Sequence, residues 1–288
     1  MTPADRLFDQ IAPHHRLLLA ATLSETDPAR RAWSAWREAV VFDDVDLPAV
    51  RLLPILAQRP DVIDTDDPLL GRIRGLYRKS WVSNERLLAA SNSARVALVG
   101  AEIPILHVEA IPLASAVGDH ATRPLHDIDI CIPRRSMRTA LELLESQGWQ
   151  PTNRGFRTRW LHRPSHLIRG DTRLRLIDAV PWPGADASAW ETSSSNESGE
   201  CVLDVHDAVV HAAVRSVQPW QQPPAYWVAD LVRLTSSLGY RRAAEALEDE
   251  HIAARAKAHG SSTTVTAALE AADRVIGAQA RVTGDRNN

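Results

Sequence analysis

The order of hydrophobic and polar residues changes character along the chain. Up to about residue 98, apolar side chains recur at intervals of three and four residues, for example at Leu70, Ile73 and Tyr77. This spacing predicts amphipathic helices whose apolar stripes pack against another part of the protein. From Ile103 onward the pattern turns to short apolar runs and to alternation, which predicts strands. Helical spacing returns after about residue 203.

The middle section interleaves strand-like and helix-like segments. The runs "IPILHV", "HDIDICI", "TRWLHR" and "LRLIDAV" have the length and composition of strands, and the second of them alternates strictly. We predict helices for "EAIPLASAV" and for "RRSMRTALELLESQG", which ends at Gly148, a residue type typical of helix C-termini. Strands and helices in this order predict a small α/β unit between two helical regions.

These changes of pattern divide the chain into five parts. The predicted parts are an N-terminal helical region (1–98), an α/β core (99–185), a Ser-rich linker (186–202), a C-terminal helical region (203–282) and a disordered tail (283–288). The linker is inferred from "ETSSSNESGE", because a polar stretch rich in serine lacks the apolar residues that anchor a helix or a strand.

Composition and charge exclude several classes of protein. The net charge is −3 and the pI is about 6.4, so net charge gives no overall attraction to nucleic acid or to an anionic membrane, and any such contact would need a local patch. The most apolar stretch contains Glu102, His107 and Glu109, so it is not expected to cross a bilayer. Two cysteines in no metal-binding spacing fit a reducing compartment, and no signal peptide is recognisable. We therefore expect a cytoplasmic protein that does not bind membranes.

Two aspartates stand within the alternating strand. Residues two apart on a strand point to the same face, so the carboxylates of Asp127 and Asp129 are expected to lie together while Ile128 and Ile130 face the core. Two like charges this close repel each other unless a cation separates them, and Mg²⁺ prefers carboxylate oxygens. Asp178, on a later predicted strand, is the best candidate for a third acid, as a ligand of a second metal or as a general base.

Simpler interpretations of these charged residues stay open. Alternation by itself would also place Asp127 and Asp129 on a solvent-exposed sheet face. Arg123, four residues before the first aspartate, could bind phosphates or could simply pair with the two carboxylates. The arginine-rich segment 154–175 could receive an anionic partner, or it could be the solvated face of a hairpin. Because only Lys79 and Lys257 are lysines, a cationic role near the site falls to arginine or histidine.

The order of these motifs resembles a known family. The stretch "RPLHDIDICIPRRSMRTALELLESQGW" is similar to the central signature of the uncharacterised bacterial nucleotidyltransferases, a branch of the DNA polymerase β-like nucleotidyltransferase fold. The segments "VRLLPILAQR", "GRIRGLYRKSWVSNERLL", "GAEIPILHVEAIPL", "VLDVHDAVVHAAVRSV" and "YWVADLVRL" resemble other parts of that family. The resemblance implies an α+β protein in which a small mixed β-sheet core is flanked by N- and C-terminal helical regions.

The resemblance also implies roles for single residues. Asp127 and Asp129 correspond to the metal-binding pair, Arg123 lies near the phosphates, and Asp178 corresponds to the third acid. Members of the family usually have a Lys-Gly pair after the first core strand, where a backbone turn can approach phosphate. This chain has His107, Val108 and Glu109 there, so His107 would replace the lysine only in part, since a histidine is largely neutral at pH 7.

The expected function is Mg²⁺-dependent (or Mn²⁺-dependent) transfer of a nucleoside monophosphate from a nucleoside triphosphate to an acceptor hydroxyl. A small molecule, a peptide or protein side chain, or an RNA end could be the acceptor. The altered segment at His107–Glu109 supports an alternative, in which the protein has lost catalysis and binds or organises partners on the same fold.

Overall fold

Helices form the first third of the molecule. The structure is a computed structural model, and it describes residues 1–152, 165–180, 188–195, 201–217 and 224–281. The N-terminal helices are α1 (Pro3–Asp9), α2 (Pro13–Leu23), α3 (Thr26–Ala39), α4 (Leu47–Leu56) and α5 (Leu70–Gly100). The helical pattern predicted for this part of the chain is therefore present.

A mixed β-sheet follows these helices. Its strands are β1 (Leu106–His107), β2 (Ile128–Cys131), β3 (Gln150–Pro151), β4 (Ser165–Arg169), β5 (Thr172–Ile177), β6 (Ser194–Ser195) and β7 (Cys201–Val202). Their spatial order is β3-β4-β5-β2-β1-β7-β6. The pairs β2–β5 and β1–β7 are parallel and the other neighbouring pairs are antiparallel. The predicted mixed sheet within an α+β protein is thus confirmed.

The remaining helices cover the sheet and extend beyond it. They are α6 (Ala110–Val117) and α7 (Met137–Ser146) within the core, a short α8 (Ser188–Glu191), and then α9 (Val205–Arg215), α10 (Pro224–Ser237), α11 (Glu250–Ala258) and α12 (Ser262–Arg281). Among the described residues, no helix is both long enough and apolar enough to cross a membrane.

The hydrophobic core joins the two helical regions. One buried cluster contains side chains of α1–α5 together with side chains of α9–α12 and part of the sheet. A second cluster lies between α5, α7 and the face of the sheet that carries Ile128 and Ile130. Because α5 contributes to both clusters, this long helix connects the helical body to the sheet.

The interval 186–202, predicted as a linker, contributes to the sheet where it is described. Its strands β6 and β7 pair with each other, and β7 also pairs with β1. The predicted strand "TRWLHR" lies outside the described residues, as does most of the arginine-rich segment: Arg154, Arg157, Arg159 and Arg163.

Candidate active site

The pleat of β2 places the two aspartates as the alternation predicted. Ile128 and Ile130 are buried in the cluster beneath α5 and α7, whereas Asp129 is buried on the opposite face of the strand. Asp127 directly precedes β2 and is partly exposed. Asp127 and Asp129 line the same cavity, so both carboxylates belong to the same side of the sheet.

The register with β5 places a cation beside Asp129. The two strands run parallel, and Asp129 is the register partner of Arg175. The Arg175 Nε donates a hydrogen bond to Asp129 Oδ1, and its Nη2 donates one to Glu109 Oε1 at 2.9 Å. A protein guanidinium therefore already binds one of the two carboxylates for which the sequence predicted a metal ion.

Glu109 lies in the turn between β1 and α6. Its φ of 63° and ψ of −110° resemble the first central residue of a type II′ turn, a conformation that favours glycine. Its buried carboxylate pairs with Arg215 and lies 3.2 Å from His211 Nε2. Burial alone would raise the pKa of Glu109, but the charges of Arg215, Arg175 and His211 hold it well below its usual range. Glu109 is therefore ionised and anchors the cluster.

Arg123 is held by a second layer of charges. Its Nε and Nη2 donate to the carboxylate of Asp230 on α10 at 2.8 to 3.0 Å. Burial acts to lower the pKa of Arg123, yet Asp230 raises it above the usual range. Arg215 Nη1 lies 3.6 Å from the same Asp230, so the charges alternate through the site. The chain of contacts runs Asp129, Arg175, Glu109, Arg215, Asp230, Arg123.

Burial and the neighbouring carboxylates oppose the ionisation of Asp129. Burial raises the pKa of Asp129 to about 7, and the negative charges of Glu109 and Asp127 act in the same direction. Arg175 acts to lower it, but this guanidinium is shared with Glu109. Because Glu109 retains its charge, Asp129 receives only part of the compensation that a dedicated ion pair would provide.

A narrow cavity opens in front of the two aspartates. It contains about 540 Å³ of empty space, its open mouth included, between α4, α10 and the segment that precedes β2. Three arginines and a tyrosine line it together with the aspartates: Arg51, Arg123, Arg233 and Tyr226. Positive groups that face carboxylates across a cavity suit a ligand made of a metal ion and phosphates.

The residues at the cavity fit one Mg²⁺ ion. Asp129 uses Oδ1 for Arg175, and no described hydrogen bond reaches its Oδ2. This oxygen and the carboxylate of Asp127, both on residues that line the cavity, are hard donors. Mg²⁺ is usually bound by one or two carboxylates together with substrate phosphates and water, so two protein ligands are sufficient.

Asp178 and His107 lie elsewhere. Asp178 follows the end of β5, three residues after Arg175, and its charge adds to burial in raising the pKa of the Cys131 thiol to about 12. His107 is the register partner of Ile130, so its side chain lies on the face of the sheet opposite to Asp129. The structure thus brings Asp127, Asp129 and Arg123 to one cavity, which neither Asp178 nor His107 lines.

Asn84 of α5 organises the loop that precedes the aspartates. It is fully buried, and its Nδ2 donates to the carbonyl oxygens of His120 and Arg123 at 2.6 and 3.0 Å. Its Oδ1 accepts a hydrogen bond from the Leu125 backbone at 2.9 Å. Asn84 was not among the residues predicted from the sequence, although a polar residue on the apolar stripe of an amphipathic helix is a signal that could have revealed it.

The described part of the arginine-rich segment has no single role. Arg169 stacks on Trp149 and donates to the Ala90 carbonyl oxygen at 3.1 Å, so it attaches β4 to α5. Arg175 belongs to the buried charge cluster, whereas Arg173 is exposed. Because successive side chains on a strand point to opposite faces, the two arginines lie on one face of β5 and the apolar Leu174 between them lies on the other.

Comparisons with known proteins identify the family. No curated protein matches the chain. The solution structure of the antibiotic-resistance factor ANT(2'')-Ia is similar, with 15% identity over 61% of this chain and 91% of that chain, but its TM-score of 0.42 is too low to support a comparison of sites. A family model described as an uncharacterised nucleotidyltransferase matches residues 48–277, which include both aspartates and the whole cavity. The chain therefore belongs to this nucleotidyltransferase family.

Proposed function

We propose that the protein transfers a nucleoside monophosphate from a nucleoside triphosphate to an acceptor hydroxyl, with Mg²⁺ or Mn²⁺ as cofactor. One observation carries the proposal: Asp127 and Asp129, the pair predicted to bind the metal, line a cavity that three arginines also line. Family membership supports nucleotidyl transfer in general. The free cysteines, Cys131 and Cys201, are consistent with a reaction in the cytoplasm.

Each group at the cavity has a role in this reaction. Asp127 and Asp129 Oδ2 would hold the metal ion, which when bound neutralises charge on the phosphates. Arg123 is fixed by Asp230 and would contribute its positive charge to the cavity, while Arg51 and Arg233 would contact the phosphates. The acceptor hydroxyl oxygen attacks the α-phosphorus and loses its proton to water, the bond to the β-phosphate oxygen breaks, and pyrophosphate leaves.

One contact and one backbone conformation favour a second candidate, in which the fold binds a partner without catalysis. Arg175 takes one oxygen of Asp129, and Glu109 occupies a turn where glycine would let the backbone approach a phosphate. If Arg175 neutralises Asp129 permanently, no metal ion is needed there. The two candidates differ in whether a divalent cation binds at the aspartates.

Titration of Mn²⁺ followed by electron paramagnetic resonance, with a non-hydrolysable nucleoside triphosphate present, distinguishes the candidates. We expect Mn²⁺ to bind together with the nucleotide, and Asp127→Asn to abolish this binding. Asp66→Asn, which neutralises an exposed carboxylate outside the cavity, is the matched control and should bind normally. Nucleotide binding that depends neither on Mn²⁺ nor on Asp127 would support the non-catalytic candidate. Absence of both nucleotide binding and Mn²⁺ binding would refute the transferase.

A further inference from the structure

A wide groove adjoins the candidate active site. It lies between α4, α5 and the turn from β4 to β5, and contains about 1530 Å³ of empty space, open side included. The groove and the cavity share lining residues, among them Arg51 and His126. A molecule in the groove would therefore reach the space in front of Asp127, the residue directly after His126.

The rim of the groove carries cations that have no carboxylate partner among the described residues. Arg51, Lys79, Arg86 and Arg173 line it, with Asp171 as an acid. None of the four cations forms an ion pair within the described part of the chain. The arginines of the buried charge cluster, in contrast, are each paired with a carboxylate. Cations gathered along a groove repel one another, so an anionic ligand would stabilise them.

Apolar side chains line the groove together with these cations. They belong to Val50, Pro54, Leu76 and Leu87, and to Leu47, which is 57% exposed. Apolar side chains next to several cations are complementary to a molecule with a hydrophobic or aromatic body and several negative groups. A highly hydrated anion without such a body would leave the apolar side chains without a contact.

We propose that this groove binds the acceptor, and that the acceptor carries anionic groups on an apolar body next to its reacting hydroxyl. The inference rests on the proposed function, because it places the acceptor beside a nucleotide at Asp127 and Asp129. The anionic groups contact Lys79, Arg86 and Arg173, and the hydroxyl enters the cavity past His126. The groove thereby selects the acceptor by charge and by shape.

The test uses 8-hydroxypyrene-1,3,6-trisulfonate as the probe, since it joins three negative groups to an apolar ring. Its fluorescence anisotropy is measured with and without saturating Mg²⁺ and a non-hydrolysable nucleoside triphosphate. Replacing Lys79, Arg86 and Arg173 together by glutamine should weaken probe binding by about tenfold and flatten its salt dependence. The matched control replaces Arg31, Arg74 and Arg78, three arginines that do not line the groove, and should bind like the wild type.

The outcomes separate this inference from the proposed function. Equal weakening of probe binding in both triple variants would overturn the proposal that the groove binds the acceptor, since it would show only a general effect of net charge. Displacement of the probe by the nucleotide would also overturn it, because the cations would then serve the triphosphate. Probe binding in a protein that binds no nucleotide would refute the proposed function, and with it the acceptor role. Simultaneous binding of both, sensitive only to the groove cations, is the expected result.

Discussion

The Asp129→Asn variant tests the electrostatics of the site most directly. Asparagine has nearly the same shape as a protonated aspartate, so the substitution removes the negative charge and retains an oxygen that can accept from Arg175. Burial and the neighbouring Glu109 and Asp127 oppose this charge and raise the pKa of Asp129 to about 7. We therefore expect the neutral variant to be the more stable protein at neutral pH.

The size of the effect follows from the shift in pKa. A rise from 3.8 in the unfolded chain to about 7 in the folded state corresponds to at most about 4 kcal/mol when the group is ionised. Between these pH values the folded state binds a proton that the unfolded state has lost, so this group lowers stability as pH rises. The stability advantage of the Asp129→Asn variant should be near zero at about pH 4, grow up to about pH 7 and remain constant above it.

Urea denaturation between about pH 4 and about pH 8 measures this difference. Asp66→Asn, at an exposed position, is the control, and its difference from the wild type should stay small throughout. An Asp129→Asn variant that is instead less stable by about 3 kcal/mol or more above pH 7, as expected when a buried ion pair is broken, would refute this expectation. That result would show a carboxylate held ionised by Arg175, and it would favour the non-catalytic candidate.

Three further substitutions test the remaining contacts. Asn84→Ala should destabilise the protein by about 2 to 3 kcal/mol in thermal unfolding. The substitution leaves the carbonyl oxygens of His120 and Arg123 and the backbone N–H of Leu125 without their hydrogen-bond partner. Ser83→Ala, at the exposed neighbouring position, is the control and should have little effect. Glu109→Gln should cost about 3 to 5 kcal/mol at pH 7 in chemical denaturation, and nearly as much at pH 5, because the pKa of Glu109 lies well below its usual range. Asp178→Asn should leave Mn²⁺ affinity unchanged, since the residue does not line the cavity; a loss like that in Asp127→Asn would restore Asp178 as a metal ligand.

Local patterns in the sequence were sufficient for the elements and for part of the site. The alternation in "HDIDICI" predicted β2 and the common face of Asp127 and Asp129, because the pleat of a strand has a period of two residues wherever the strand lies. The amphipathic spacing before residue 98 predicted helices, and the central motif indicated the nucleotidyltransferase family that the family model then showed.

The tertiary structure decided which charges meet. Arg175 follows Asp129 by 46 positions in the chain, and the two residues lie side by side because β2 and β5 adopt one particular register. A slip of one residue in this register would have placed an apolar side chain beside Asp129. Glu109 meets His211 and Arg215 more than a hundred residues later, where α9 packs against the turn. Strand periodicity and helix spacing are local properties of the chain. The partner of a buried charge depends on long-range packing, and no periodicity in the sequence encodes it.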